Sequence, residues 1–492
     1  MTIGKYTPEE PISSIATALA PAALGIVRVS GKGCIELVSK VFSRPKALLE
    51  APGNTLVYGW IQEENKKIDE VMLAVYRAPK SFTGEDMVEI FCHGGPSVVT
   101  AIQNLMLRSG FRQADRGEYT FRAYINGKTD LTKAEAIKEI IDSHTDDSRS
   151  HAAGRLAGSL FQEIDSIKKL IIDTLAAIEV EIEYPEDEET IADTFDRDDI
   201  VLAISRLQSL VDSWKSEKLY QDGARVVLAG RTNAGKSSLF NAILKEERAI
   251  VSNIEGTTRD WLESWASING IPVRLFDTAG LRETDDVIEA QGVQLTKNLA
   301  HDADVVLYLI DSTAGLSPDD TSFIENCQEP MVIVYTKSDL ANSTNLKLQV
   351  FEENSVVSDS ERGESLPLAP AAGASSATPS NGGHPRNAPV VQISSKNGNG
   401  LKNLFDEVTK ILTAGLTTER QQAGLGSARQ KDAVAEALEC TKHALVSADD
   451  NYTLDAVVQD LEDALDALSE VTGDVTPDDV LGSIFANFCV GK

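Results

Sequence analysis

Five cysteines in 492 residues (Cys34, Cys92, Cys327, Cys440 and Cys489) are too scattered for a disulfide framework, and no two form a C-x-x-C pair. That pattern argues for a reducing compartment and against a zinc site. No run of 18 apolar residues occurs, and the opening MTIGKYTPEEP lacks the apolar stretch of a secretory signal. A cytoplasmic protein without a membrane partner is therefore expected. Basic charge is also short: 46 Lys and Arg stand against 76 Asp and Glu, a formal net charge of −30. Such a surface opposes non-specific binding to nucleic acid, so any RNA role requires a local basic patch or a basic partner. Acidity that serves solubility alone is an equally open reading. What remains is ordinary for a globular protein, at 42% hydrophobic and 25% charged residues, with length for two to four domains.

The stretch that organises the chain is ARVVLAGRTNAGKSSLFN. A short apolar, β-branched run from Arg225 to Ala229 reads as a buried strand. Gly230 to Ser237 then follow at the spacing G-x-x-x-x-G-K-S, and Leu239, Phe240, Ile243 and Leu244 open a helical pattern. The glycines let the backbone wrap a phosphate chain, with successive N–H groups and a helix N-terminus facing negative charge. Lys236 reaches the β- and γ-phosphates and the Ser237 hydroxyl suits Mg²⁺.

Around this stretch the chain changes character three times. Residues 1–126 read as mixed α and β, with strands at Leu24–Val29, Glu70–Tyr76 and Val88–Phe91 and a helix over 97–108 that Pro96 opens. Residues 127–222 are almost wholly helical, with an acidic loop over 186–189. Residues 223–414 alternate strands (226–229, 273–277, 305–311, 331–336, 390–394) with helices, which predicts a parallel sheet whose ligand lies at the strands' C-terminal ends. Inside them 342–389 is Ser/Ala/Pro/Gly-rich and without periodicity, and reads as a disordered insertion. Residues 415–492 return to helix, and Thr476-Pro477-Asp478-Asp479 reads as a capped start with Pro at the first position. Helical stretches on both sides of an α/β unit suggest one helical domain with a nucleotide domain inserted in it.

Four further signals follow in the order a GTPase requires. Gly256-Thr257-Thr258-Arg259-Asp260 lies in a polar loop where Thr258 is placed to sense Mg²⁺ and the γ-phosphate. Asp277-Thr278-Ala279-Gly280 ends a strand; its Asp would hold the metal through water and Gly280 would turn an N–H to the γ-phosphate. Thr336-Lys337-Ser338-Asp339 ends another, and Asp339 accepts from both N1–H and N2–H₂ of guanine, a pattern adenine does not offer. Ser394-Ser395-Lys396 would supply a backbone N–H to guanine O6. GTP is therefore expected over ATP. A GTP-driven switch in RNA or ribosome assembly, without covalent chemistry, is the alternative, although no basic RNA-binding appendage is visible.

GRTNAGKSS, GTTRD, DTAGLRET and the closing FCVGK resemble the tRNA-modification GTPase family MnmE (TrmE), as do the amino-terminal GIVRVSG, SFTGED, HGGP and RAYINGKTDL. The resemblance covers nearly the whole chain outside 342–389. It implies α/β plus all-α architecture: an N-terminal α+β tetrahydrofolate-binding and dimerisation domain, a discontinuous helical domain, and an inserted Ras-like GTPase domain. It further implies a GTPase, working as a homodimer in a heterotetramer with the flavin-dependent MnmG (GidA), whose FAD is not held by this chain. The pair would modify C5 of the wobble uridine of certain tRNAs with a carboxymethylaminomethyl-type group, from a tetrahydrofolate one-carbon unit.

Residue by residue, the resemblance places the nucleotide against Asn233, Ala234, Gly235, Lys236, Ser237 and Ser238. Further contacts fall to Ser252, Thr257, Thr258, Asp277, Thr278, Ala279 and Gly280, and to Thr336, Lys337, Asp339, Ser394, Ser395 and Lys396. Potassium would take Asn233, Ser252, Ile254 and Thr257, supplying the charge an arginine finger supplies elsewhere. Mg²⁺ would take Ser237 and Thr258. Catalysis would rest on Glu289, which orients the attacking water, with Thr258 and Gly280. Folate would meet Arg28, Glu85, Lys128 and Lys492, the two ends of the chain forming one composite site across a dimer. Cys489 is open between a nucleophile and a structural thiol. Two departures stand out: Ala18–Ala23 replaces a glycine-rich loop, and Thr336 stands where GTPases usually carry Asn, which bears on one guanine contact and one loop tether.

Overall fold

The computed structural model describes residues 10–183, 196–246, 262–277, 301–340, 388–416, 423–449 and 454–491. The chain divides into two compact units. Met1–Asp142, Ser150–Glu217 and Arg420–Lys492 form the first; Ser143–Arg149 and Lys218–Glu419 form the second.

The first unit opens with a six-stranded sheet: β1 (Ile12–Ile15), β2 (Ala22–Ser30), β3 (Thr55–Glu63), β4 (Lys66–Tyr76), β5 (Met87–Gly94) and β6 (Arg112–Gln113), in the order β3-β4-β5-β2-β1-β6. All neighbours are antiparallel except β1 with β6. Alternation along the strands turns Val27, Val29, Val57, Ile61, Leu73 and Ile90 inward. There they meet Ile102, Leu105 and Met106 of the helix Pro96–Arg108. That helix has Pro at its first position, where the missing N–H costs nothing. β3 escapes a reading from pattern because Gly59 interrupts it; the structure fills the space above that glycine with the ring of Phe42.

Helices Ser159–Glu183, Arg197–Asp222, Ala428–Asp449 and Leu454–Thr472 then build one apolar core. Leu160, Ile164, Ile171 and Leu207 from the earlier stretch interdigitate with Leu425, Val434, Leu438, Leu461 and Leu468 from the later one. Among the described residues no helix is long and apolar enough to cross a membrane. The last helix, Asp478–Ala486, begins one residue later than its sequence suggests: Pro477 occupies the cap position, extended at φ −59° and ψ 146°, and no side chain caps it. Its Phe485, fully buried, packs with Phe488, Phe121, Leu131 and Leu481. Gly117, at φ +69°, sits so near the Phe485 backbone that a side chain there would collide with it.

The second unit is a six-stranded sheet made of β7 (Ala224–Gly230), β8 (Leu262–Ile268), β9 (Ile271–Asp277), β10 (Val305–Asp311), β11 (Met331–Thr336) and β12 (Val390–Gln392). The order is β12-β11-β10-β7-β9-β8. Five strands are parallel, as their near-continuous apolar runs predict. The sheet is parallel-rich, as expected; β8, not read as a strand from the sequence, pairs antiparallel with β9. The cause is local: Asn269 and Gly270 take φ of +50° and +88°, forming a two-residue hairpin turn, and a hairpin joins only antiparallel strands. Ser143–Arg149, within a stretch read as helical from sequence, belongs to this unit, where the His144 ring stacks 3.8 Å from that of Trp265.

Candidate nucleotide site and N-terminal polar cluster

β7 ends in Gly230, and the loop that follows runs into the helix Lys236–Glu246. Gly230, Asn233 and Gly235 hold φ of +133°, +62° and +95°, so the loop curls back on itself. Lys236 is buried, and its Nζ donates to the carbonyls of Gly230 (2.7 Å) and Arg231 (2.8 Å). Ala234 is buried beneath the loop, while Asn233, Ser237 and Ser238 are exposed. Ser237 Oγ donates to Asp277 Oδ2 at 2.9 Å, joining the helix start to the end of β9. A hydroxyl and a carboxylate so placed are hard oxygen donors of the kind Mg²⁺ takes.

The ends of β11 and β12 complete the same edge of the sheet. Thr336 is buried, and its Oγ1 donates to the carbonyl of Ala234 at 2.7 Å. Lys337, at φ +55°, extends its ammonium to Asp311 Oδ2 at 2.6 Å. Burial pushes the Asp311 carboxyl up, but hydrogen bonds from Lys337 and Thr313 outweigh it and hold the group below its ordinary value. Ser394 Oγ donates to Asp339 Oδ1 at 2.8 Å, and the Ser338 N–H to the Ile393 carbonyl. Asp339 is exposed with its carboxylate oriented, Ser395 is half-buried, and Lys396 is exposed. Ser252, Ile254, Thr257, Thr258, Thr278, Ala279, Gly280, Glu289 and Lys492 lie outside the described residues, as does nearly all of 342–389.

In the first unit, Arg28 and Glu85 are joined through β2. Arg28 donates from Nε (3.0 Å) and Nη2 (2.7 Å) to Glu89, its cross-strand partner. Its Nη1 donates to the Gly491 carbonyl at 2.9 Å, and the guanidinium carbon lies 5.7 Å from the ring centroid of Phe82 and 5.5 Å from that of Tyr119. Two residues along, Ser30 Oγ donates to Glu85 Oε2 at 2.8 Å, and Arg122 Nη1 reaches both Glu85 oxygens at 3.1 and 3.0 Å. Lys128 is exposed and donates to the Pro79 carbonyl at 3.0 Å. Cys489 is exposed, its carbonyl accepting from Gly117 N–H. Two cations and an acceptor carboxylate suit a molecule with carboxylates at one end and ring N–H donors at the other, as a folate has. Glu89, Arg122 and Ser30 carry no role in the sequence analysis, although Arg122 and Ser30 lie within RAYINGKTDL and GIVRVSG. No spacing marks them, because their roles depend on strand register and on a helix returning to the sheet.

A strand–loop–helix phosphate cradle at the C-terminal edge of a parallel-rich sheet, with an aspartate against the helix-start hydroxyl, defines a Ras-like P-loop protein. Family models place the chain more closely: residues 11–128 match the GTP-binding protein TrmE N-terminus and 131–489 the MnmE helical domain. The tRNA modification GTPase MnmE of Treponema denticola is 48% identical over 501 residues, covering all of both chains. That of Treponema pallidum is 43% identical over 500 residues, again end to end. Among solved structures, Era in complex with MgGDPNP and nucleotides of 16S ribosomal RNA is 26% identical over 44% of this chain and 66% of its own, at a TM-score of 0.27. The chain belongs to the MnmE family of tRNA modification GTPases.

Proposed function

We propose that this chain hydrolyses GTP to GDP and phosphate and that the turnover serves tRNA modification. The observation that carries the reading is the Ser237–Asp277 hydrogen bond beside Lys236, at the mouth of the positive-φ loop. Lys236 neutralises the β- and γ-phosphates once they displace the loop carbonyls it now binds. Ser237 and Thr258 hold Mg²⁺ with Asp277 beside them, and Asn233, Ser252, Ile254 and Thr257 hold potassium. Bound cations supply positive charge where the bond to the leaving phosphate lengthens. Glu289 orients the attacking water, Gly280 turns its N–H to the γ-phosphate, and Asp339 reads guanine.

On the similarity to the family, the product is a wobble uridine altered at C5, with its one-carbon unit from a tetrahydrofolate derivative at Arg28, Glu85, Lys128 and Lys492. The flavin-dependent MnmG is the partner, the chain acts as a cytoplasmic homodimer, and 1–126, 127–222, 223–414 and 415–492 are its domains. Two measurements test this. GTP turnover in potassium should exceed that in sodium, and Asn233→Ala should abolish the difference; equal rates would sink the potassium site. Mass spectrometry of wobble nucleosides from a deletion strain should show the modification missing, and an unchanged profile would remove the tRNA role.

A further inference from the structure

The charge of this chain is unevenly spread. Residues 1–126 hold 14 Lys and Arg against 13 Asp and Glu, whereas 127–492 hold 32 against 63. The acidic remainder repels an RNA backbone, so the near-neutral stretch is where a polyanion meets least opposition.

Within that stretch, one margin of the first unit gathers cations whose charge is not cancelled. Arg44 caps the short helix Pro45–Leu49 and Lys46 lies inside it, both exposed. Arg77 ties the far end of that helix to the loop between β4 and β5. It donates from Nη2 to the Leu49 carbonyl at 2.8 Å and from Nε to the Ala51 carbonyl at 3.2 Å. The Arg77 carbonyl accepts from the Lys80 N–H, and Lys80 follows the Pro79 whose carbonyl Lys128 binds. Arg44 also donates to a main-chain carbonyl, that of Tyr58 at 3.0 Å. A carbonyl satisfies a donor without neutralising it. Arg108, Lys138, Arg197 and Lys410, by contrast, are paired with carboxylates. Among the described residues none of the five cations on this margin has such a partner.

Two carboxylates lie beside them: Glu50, at the end of the helix, and Asp86, whose Oδ1 accepts from the Ala78 N–H at 2.9 Å. Glu85, in the same loop, is already matched by the buried Arg122. The margin therefore stays net positive, and it shares its loop with the polar cluster around Glu85.

We propose that Arg44, Lys46, Arg77 and Lys80 form the docking surface for the sugar–phosphate backbone of tRNA, and that contacts there bring the wobble base to the Arg28–Glu85 cluster. The inference rests on the tRNA reading above. Phosphate contacts fix register and orientation and leave the choice of base to the site itself. The margin also supplies the local basic patch that a net charge of −30 makes necessary for an RNA role. Helix and loop are more than 30 residues apart in sequence, so no basic run displays it.

The test titrates an unmodified tRNA transcript against the full chain by fluorescence anisotropy over a range of KCl. Lys46→Glu with Lys80→Glu changes two exposed side chains that bond to no described residue. At about 0.1 M salt this double variant should bind at least about tenfold more weakly, with the slope of log affinity against log salt reduced by about two. Its GTP turnover should match wild type. Lys402→Glu with Lys410→Glu, on the helix Leu401–Leu412 of the second unit, makes the same change in net charge and should keep wild-type affinity for tRNA. Equal losses in the two double variants would make the effect one of bulk charge and overturn the inference, as would unchanged affinity in the first. Full tRNA affinity with wobble modification lost in cells would assign the margin to an acidic protein partner, and overturns it too. A wild-type chain that binds no tRNA at low salt overturns the docking surface alone; the tRNA role is judged separately by the wobble nucleosides of the deletion strain.

Discussion

The guanidinium of Arg28 donates to the carbonyl of Gly491, a residue 463 positions further along the chain. Around that bond the tail is fastened at two more points: Val490 bridges Arg116, and the Cys489 carbonyl accepts from Gly117. The two ends of the chain thus meet within one protomer. Three of the five Arg28 N–H donors are used, two on Glu89 and one on the tail.

Phe485 carries the packing share of that attachment. Its ring stands edge-on to Phe121, centroids 5.4 Å apart, with no exposed surface. Phe485→Ala is predicted to cost about 3–5 kcal/mol in urea unfolding of the first unit. It should also expose the tail to carboxypeptidase. Resistance equal to wild type would mean that the backbone contacts alone hold the tail.

Lys236→Ala is predicted to abolish measurable GTP binding. Ser237→Ala is expected to retain nucleotide and lower turnover by about 100-fold or more, the scale for removing one transition-state electrostatic partner. Phosphate release and nucleotide titration separate the two. A Ser237→Ala enzyme with wild-type turnover would take the Ser237–Asp277 pair out of the mechanism.

Asp339→Asn is predicted to exchange guanine for xanthine. The amide donates where the carboxylate accepted, matching the carbonyl that xanthine carries in place of the guanine amine. Affinity for GDP should fall by at least about 100-fold while XDP gains. Parallel losses for both nucleotides would remove Asp339 from the base site.

A buried charge cluster predicts the acid behaviour of the first unit. Arg155 is held between Glu139 and Glu217, and His151 faces Glu217 as well. Burial alone would raise the Glu217 carboxyl, but His151 and Arg155 outweigh it and the group sits below the ordinary 4.5. Glu118 is lowered in the same way, burial being outweighed by Arg112, the Asp115 N–H and Arg122. Both contribute stability that is complete above pH 4.5 and drains away as the pH falls through their lowered values. Glu139, raised by burial, works in the opposite sense and partly offsets them. The urea midpoint should therefore fall below about pH 4.5, and less steeply in Glu217→Gln. Arg155→Met, which strands Glu139 and leaves Glu217 with His151, should cost about 3–5 kcal/mol at neutral pH.

The nucleotide edge was legible because phosphate binding dictates residue type and spacing together: a glycine loop, a lysine and a hydroxyl must follow one another without insertion. The core strands of the second unit were legible for a related reason, being buried on both faces and therefore apolar throughout. The β8–β9 hairpin was missed although Asn269-Gly270 announces it, because LESWASI alternates too weakly to mark a strand. Arg28 with Glu89, and Arg122 with Glu85, were beyond reading. Each pair is set by register between elements far apart in sequence, and nothing local to either residue foretells its partner.

The helical core of the first unit draws on residues up to Trp214 and from Ala423 onward, with Lys218–Glu419 of the second unit encoded between them. A ribosome adding about 5–20 residues per second spends roughly 10–40 s on that interval. Throughout it Ile164, Ile171 and Leu207 lack the partners that Val434, Leu461 and Leu468 later supply, while all six strands of the second sheet emerge. All six strands of the second sheet are thus synthesised before the helical core of the first unit is complete. The half-built bundle, with its apolar stripe uncovered for seconds, is the stage at which a nascent chain of this kind has most need of a chaperone.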